Sequence, residues 1–241
     1  MKNAIILCSG GLDSVVAAYE IRKKYDKVKF LFFNYNQRAL KEEEFCVKET
    51  AKKLNGEFVK IDLKWLGKIS GAALNQKIEF KESTEKDLEN TESQILNWWV
   101  PARNSVFLIN ALAFAESEFL KNKNKWDIVI GIKDEGREHM KDTTPIFIKK
   151  INELAEEATY HGGYKILAPL IELDKPEVIK LGEKLKVPFE LTYSCYIGNN
   201  FNKRKLIHCG KCLNCMLRKK SFYWSGVKDS SLYKSEETKV L

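Results

Sequence analysis

The chain has 241 residues, 44% of them apolar and 31% charged: enough to bury one large core, with no apolar run near the ~20 residues that span a bilayer. The formal charge of +8 is local, because residues 191–228 hold eight Lys/Arg and no Asp or Glu, leaving the remainder balanced. The first residues enter an apolar run at once, which predicts no signal peptide and a cytoplasmic protein, a compartment in which the six cysteines argue against disulfides.

In chain order, the apolar runs at 4–8, 28–33, 58–63, 126–131 and 165–168 read as buried strands. Helical spacing fills the gaps. Val15, Ala18 and Tyr19 open the first helix; Val47, Ala51 and Leu54 mark the second, with Phe45 and Cys46 on its apolar side. A third starts near Asn104 and carries Ala111, Ala113, Phe114 and Leu120. The fourth and fifth span 145–158 and 176–185, each opened by a proline, which a first helical turn tolerates. Strands alternating with helices predict an α/β fold with a doubly wound, parallel, five-stranded sheet. Such a sheet binds ligands beyond the carboxyl ends of its strands. Residues 66–98 lack a pattern and read as a solvated insertion or a lid over that edge. The polar residues 226–241 read as a loosely docked tail.

The first strand runs into Ser9-Gly10-Gly11-Leu12-Asp13-Ser14. Glycines permit positive φ and close approach of a ligand, serine caps a helix start well, and free amides there attract anions. The hexapeptide therefore predicts a phosphate cradle. It lacks a Walker lysine, so main-chain amides, the Ser9 and Ser14 hydroxyls and a Mg²⁺ on Asp13 would do the holding. Asn34, Tyr35, Gln37 and Arg38 end the second strand and could face a nucleotide or an acyl substrate; an ordinary polar loop is the alternative. Arg103 and Asn104 open an apolar helix, where Arg103 suits a phosphate or carboxylate, or a surface ion pair.

Cys195, Cys209, Cys212 and Cys215 have the spacing x13, x2, x2. Tandem x2 spacing wraps a loop around one ion and predicts a closed Cys₄ zinc site, with iron–sulfur ligation as the alternative. His208 adjoins Cys209 and is badly placed to share the ion. Cys8 and Cys46 read as small core residues. The basic segment raises nucleic-acid binding as a reading, but a phosphate-bearing substrate is the plainer one.

The hexapeptide resembles the pyrophosphate loop of the N-type ATP pyrophosphatases, which implies an adenine nucleotide alpha hydrolase-like fold and cleavage of ATP to AMP and pyrophosphate. Together with "NYNQR" (34–38), "VPARN" (100–104), "APLIELDKPEVIKLGEKLKVP" (168–188), "TYSCY" (192–196) and "CGKCLNCMLRKKSF" (209–222), it resembles the 7-cyano-7-deazaguanine synthase family. That resemblance implies ATP, Mg²⁺, structural zinc, ammonia and a carboxy-deazaguanine substrate that is adenylated, converted to an amide, adenylated again and left as a nitrile. It divides the chain into an ATP pyrophosphatase domain (1–190), a four-cysteine segment (191–225) and a tail (226–241). Two departures stand out: Asn36 replaces the family's glycine, and in the stretch 136–144, Gly136 to Thr144, only Asp142 keeps the identity seen in the family's base-binding segment. Asp142 can still accept from a guanine-like edge. The departures leave room for an antiphage relative that joins the activated deazaguanine to a protein N-terminal amine. Trp98, Trp99, Tyr223 and Trp224 suit either the core or a homodimer interface.

Overall fold

The computed structural model describes residues 2–76, 83, 96–134, 140–198, 201–202 and 205–234. Most of the expected 66–98 insertion, residues 136–139 of the divergent stretch and the end of the tail lie outside them.

Five strands, β1 (Asn3–Leu7), β2 (Lys27–Asn34), β3 (Glu57–Asp62), β4 (Asp127–Ile130) and β5 (Ile166–Leu167), form one sheet in the order β3-β2-β1-β4-β5. Every pairing is parallel; Ile6 stands beside Phe30 on one side and Val129 on the other. Helices among the described residues include α1 (Leu12–Arg22), α2 (Leu40–Lys53), α3 (Lys64–Ile69), α4 (Arg103–Asn122), α5 (Pro145–Ala158), α6 (Lys175–Lys184) and α7 (Leu213–Ser225). This is the doubly wound α/β fold expected from the alternation of apolar runs.

The sheet has a core on each face because strand side chains alternate. Ala4, Ile6, Phe30 and Phe32 pack with α1, α2 and α6, whereas Ile5, Leu7, Leu31 and Phe33 pack with α4 and α5. All five residues of β1 are buried, which explains why its sequence reads apolar throughout rather than alternating. The strand order reverses between β1 and β4, so a crevice opens at their carboxyl ends.

Beyond the sheet, β6 (Phe201–Asn202) pairs antiparallel with β7 (Lys205–His208), and β8 (Leu232–Tyr233) joins β7 in parallel. Arg218 on α7 fastens this unit to the rest. It is 1% exposed and donates to both Asp229 oxygens, to Thr192 Oγ1, Ser194 Oγ and Ser231 Oγ, and to the Phe189 carbonyl. The stretch after Ser225 was expected to dock loosely. Instead Asp229 and Ser231 satisfy Arg218, and β8 extends the small sheet; a buried guanidinium needs such partners. Arg218 is thereby unavailable to nucleic acid.

Candidate active site

The SGGLDS turn leaves β1 at the crevice. Gly10 has φ +77, and a Cβ there would meet the Glu43 carbonyl at 2.6 Å, so the turn packs directly on α2. Gly11, not a serine, occupies the N-cap of α1, and no side chain caps that helix. The serines are spent on the turn itself: Ser14 Oγ donates to the Gly11 carbonyl at 3.0 Å and lies 3.2 Å from Ser9 Oγ. The amides that open α1 thus remain for an anion. Gly131, just past β4, closes the other side; a Cβ there would stand 2.5 Å from Ser14 Cα.

Asp13 projects from the first turn of α1. Lys175 Nζ lies 2.5 Å from its Oδ2, while its Oδ1 is buried without a hydrogen-bond partner. Lys175 is held there by local chemistry. Asp174 and Glu177 form a capping box, Glu177 N donating to Asp174 Oδ1 and Asp174 N to Glu177 Oε2, each at 2.8 Å. Pro176 stiffens the same turn, so Lys175, at the first helical position, is aimed back across the crevice.

Two adjoining cavities open at this edge. The first, about 310 Å³, is lined by Ser9, Gly11, Asp13, Ser14, Tyr35, Gln37, Glu43, Asn104 and Cys8, among others. The second, about 360 Å³, is walled by Trp98, Trp99, Asp142, Leu213 and Leu217. Arg103, Lys133, Lys175 and Tyr196 line both. Trp98 and Tyr196 pack with ring centroids 4.5 Å apart and planes tilted by 32°, giving the second cavity an aromatic wall.

Arg103 is the hinge between the two. Ala102, before it, is left-handed with φ 51, which turns the chain from "VP" into α4. Burial works against the charge of Arg103, but Tyr35, Tyr196 and Asp142 outweigh it and hold the guanidinium charged. Burial raises the Asp142 carboxyl, with Arg103 opposing. Its Oδ1 has no hydrogen-bond partner, while its carbonyl accepts from Asn104 Nδ2 at 3.2 Å. Burial pushes the Tyr35 hydroxyl up to about 12, so it is neutral at the cavity wall.

The structure thus brings Ser9, Gly11, Asp13, Ser14, Tyr35, Gln37, Arg103 and Asn104 to one cavity and Asp142 to the next. Gly10 and Arg38 line neither of them: Gly10 shapes the turn, and Arg38 lies behind it with its backbone N–H on the Leu74 carbonyl. Gln37 is a brace as well as a wall, donating to the Phe33 carbonyl at 3.0 Å and accepting from Tyr35 N at 2.9 Å. Lys175, Glu43 and Tyr196 were missed as site residues. The capping box around Lys175 is readable in "DKPE", but no local signal tells where the lysine points.

The four sulfurs of Cys195, Cys209, Cys212 and Cys215 lie within 4.8 Å of one another. Cys209 and Cys215 Sγ are 3.9 Å apart, close to the roughly 3.8 Å edge of a tetrahedron of thiolates around one zinc-sized ion. Amides point at the sulfurs: Cys212 N and Lys211 N at Cys209, Cys215 N at Cys212, and Cys209 N at Cys195. The set fits one ion. His208 takes no part; its Nε2 accepts from Ser194 N, and its ring packs against Tyr193 and Tyr233. Tyr193 N donates to the Gly10 carbonyl at 2.8 Å, so the cysteine unit braces the phosphate-type turn directly.

Residues 3–226 match the family described as queuosine biosynthesis protein QueC. The chain belongs to the QueC family. Similar relatives named 7-cyano-7-deazaguanine synthase include that of Methanobrevibacter smithii, 36% identical over 235 residues and covering 96% of this chain and 98% of the relative. That of Methanosphaera stadtmanae is 34% identical, covering 95% and 97%. A bacterial relative from Campylobacter fetus is 33% identical, covering 98% and 99%. QueC membership spans both units of the molecule, the parallel sheet and the cysteine segment alike. No helix among the described residues is long and apolar enough to cross a membrane.

Proposed function

We propose that this QueC family member is a cytoplasmic, ATP-dependent 7-cyano-7-deazaguanine synthase, a carbon–nitrogen ligase. The observation that supports this best is the pair of cavities joined by Arg103 and Lys175, one beside an uncapped helix start and one with an aromatic wall and a half-buried carboxylate.

In this reading the amides of α1 hold the β- and γ-phosphates of ATP, and the Ser9 and Ser14 hydroxyls, bonded within the turn, keep those amides aligned. Lys175 supplies the positive charge that a Walker lysine would otherwise give. Asp13, with one buried unpartnered oxygen, holds Mg²⁺, which neutralises phosphate charge when bound. Tyr35, Gln37 and Asn104 shape the nucleotide cavity. The deazaguanine lies against Trp98 and Tyr196, and Asp142 accepts from its amine edge. Arg103 orients the substrate carboxylate toward the α-phosphorus. That carboxylate attacks and pyrophosphate leaves; an amine then attacks the acyl carbon and AMP leaves. In the second round the amide oxygen attacks the α-phosphorus of another ATP and pyrophosphate leaves. AMP departs with that oxygen, and the nitrogen loses two protons as the nitrile forms. Cys195, Cys209, Cys212 and Cys215 would hold Zn²⁺ as a structural ion, fastening residues 191–225 against the ATP-binding unit, residues 1–190.

The test is release of pyrophosphate from ATP and Mg²⁺ with 7-carboxy-7-deazaguanine, followed by product mass with ammonium present. A nitrile product supports the synthase. A peptide-linked amide with a peptide as acceptor assigns the amine differently, and no pyrophosphate release refutes both.

A further inference from the structure

Glu43 lines the first cavity, and the scheme above gives it no task. It stands in the first turn of α2, its carbonyl packed on Gly10. Its Oε2 accepts from Gln37 Nε2 at 2.9 Å. Gln37 cannot swing away, since the Phe33 carbonyl and Tyr35 N fix both ends of its amide. The carboxylate is therefore placed, not merely present. The titratable groups around it are Arg103 from α4, Tyr35 from the exit of β2, and Glu42 and Cys46 on α2 itself. Burial pushes the Glu43 carboxyl up to about 7, against the pull of Gln37 and Arg103. A carboxylate in such a state can gain and lose a proton at neutral pH.

The proposed reaction needs a free amine, yet simple amines are mostly ammonium ions at neutral pH, with no lone pair to attack. We propose that Glu43 receives the acceptor: its carboxylate binds the acceptor as a small ammonium cation and takes one proton from it inside the cavity. The inference rests on the adenylation reading above. The freed amine attacks the acyl carbon where Arg103 joins the two cavities. The N–C bond forms and the C–O bond to phosphate breaks, with its electron pair leaving on AMP. The nitrogen sheds its next proton to AMP or water. Glu43 returns its proton to solvent.

The experiment compares wild type with Glu43→Gln, whose amide oxygen can keep the bond from Gln37, using ammonium chloride and hydroxylamine as alternative acceptors. Hydroxylamine is largely unprotonated at neutral pH and does not need the proton removed. The expected result is that Glu43→Gln lowers ammonium-supported amide formation by about 10²-fold or more, with a raised KM for ammonium. Hydroxamate formation falls far less, so the ratio of the two rates rises by about 10². The ammonium-supported rate of wild type also rises with pH through an apparent pKa near 7, a limb the variant lacks. Equal losses with both amines, or no loss with ammonium, overturn the assignment. If Glu43→Gln does not fold, Glu43→Asp carries the same comparison, with a smaller selective loss of the ammonium rate expected and equal losses again refuting. A wild-type enzyme that releases no pyrophosphate with 7-carboxy-7-deazaguanine refutes the substrate reading itself, and this one with it; that step needs no amine, so the two failures are distinct.

Discussion

Lys175 Nζ and Asp13 Oδ2 meet at 2.5 Å across 162 residues of sequence, joining the first turn of α1 to the first turn of α6. The contact puts a cation at the mouth of a turn that has no lysine of its own. Asp13→Asn is expected to lower pyrophosphate release at least about 10²-fold, because it weakens the Mg²⁺ site. Lys175→Met is expected to lower it through weaker phosphate binding, seen as a raised KM for ATP. The metal content of the four-cysteine site should be unchanged in both, measured by elemental analysis; a fall in it would mean that the turn and the cysteine unit fold as one.

Gly131→Ala tests the closeness of β4 to α1. The new Cβ would lie 2.5 Å from Ser14 Cα and 2.8 Å from the Asp13 carbonyl, both backbone atoms that cannot rotate aside. A stability loss of about 1–3 kcal/mol is expected in denaturant melts, with a larger proportional loss of activity than a remote core variant of equal stability shows.

Arg218 and Asp229 form a buried ion pair at 1% and 11% side-chain exposure. Removing one partner strands the other, so Arg218→Met is expected to cost about 3–5 kcal/mol. Burial pushes the Asp229 carboxyl up, but the charge and hydrogen bonds of Arg218 win and bring it down to about 2. Its stabilisation is therefore complete above its unfolded pKa of about 3.9 and is lost as pH falls toward 2. Melting curves between pH 5 and pH 2 should show that loss in wild type and not in Asp229→Asn, whose stability is already lower.

The Glu43 carboxyl titrates the other way. Its folded pKa, about 7, lies above the ordinary 4.5, so the native state is favoured while Glu43 is protonated. That contribution is full below pH 4.5 and disappears as pH rises through 7. Glu43→Gln should gain stability relative to wild type between pH 6 and pH 8, on the order of 1–3 kcal/mol, as read from urea midpoints. A constant difference across that range would show that Glu43 is not desolvated.

Removal of the ion, or Cys212→Ser, should loosen β7, β8 and α7 before the large sheet. Hydrogen exchange is expected to rise first at Lys205–His208 and Leu213–Ser225, and the melting temperature to fall by roughly 5–10 °C.

Most of the large sheet was legible because β1, β4 and the carboxyl half of β2 are buried and so read as continuous apolar runs, whereas the edge strand β3 is only partly buried; Pro145 and Pro176 placed two helix starts almost to the residue. The phosphate-type turn and the four cysteines were legible because their chemistry depends on short spacing. What stayed hidden are long-range meetings. "DKPE" declares a capped helix but not that its lysine reaches Asp13, and nothing in "KEEEF" tells that Glu43 faces a cavity. The buried role of Arg218 was hidden for the same reason, since Asp229 lies in a polar stretch that has no pattern of its own.

The separation of Asp13 from Lys175 also sets the order in which the crevice is completed as the chain is made. A ribosome delivers the anion-binding turn within the first residues, but its counter-charge waits until α6 emerges, and the brace from Tyr193 comes later still. Half-made chains therefore carry the Asp13 carboxylate without its partner, and the crevice is complete only once residues 175–193 have joined the turn.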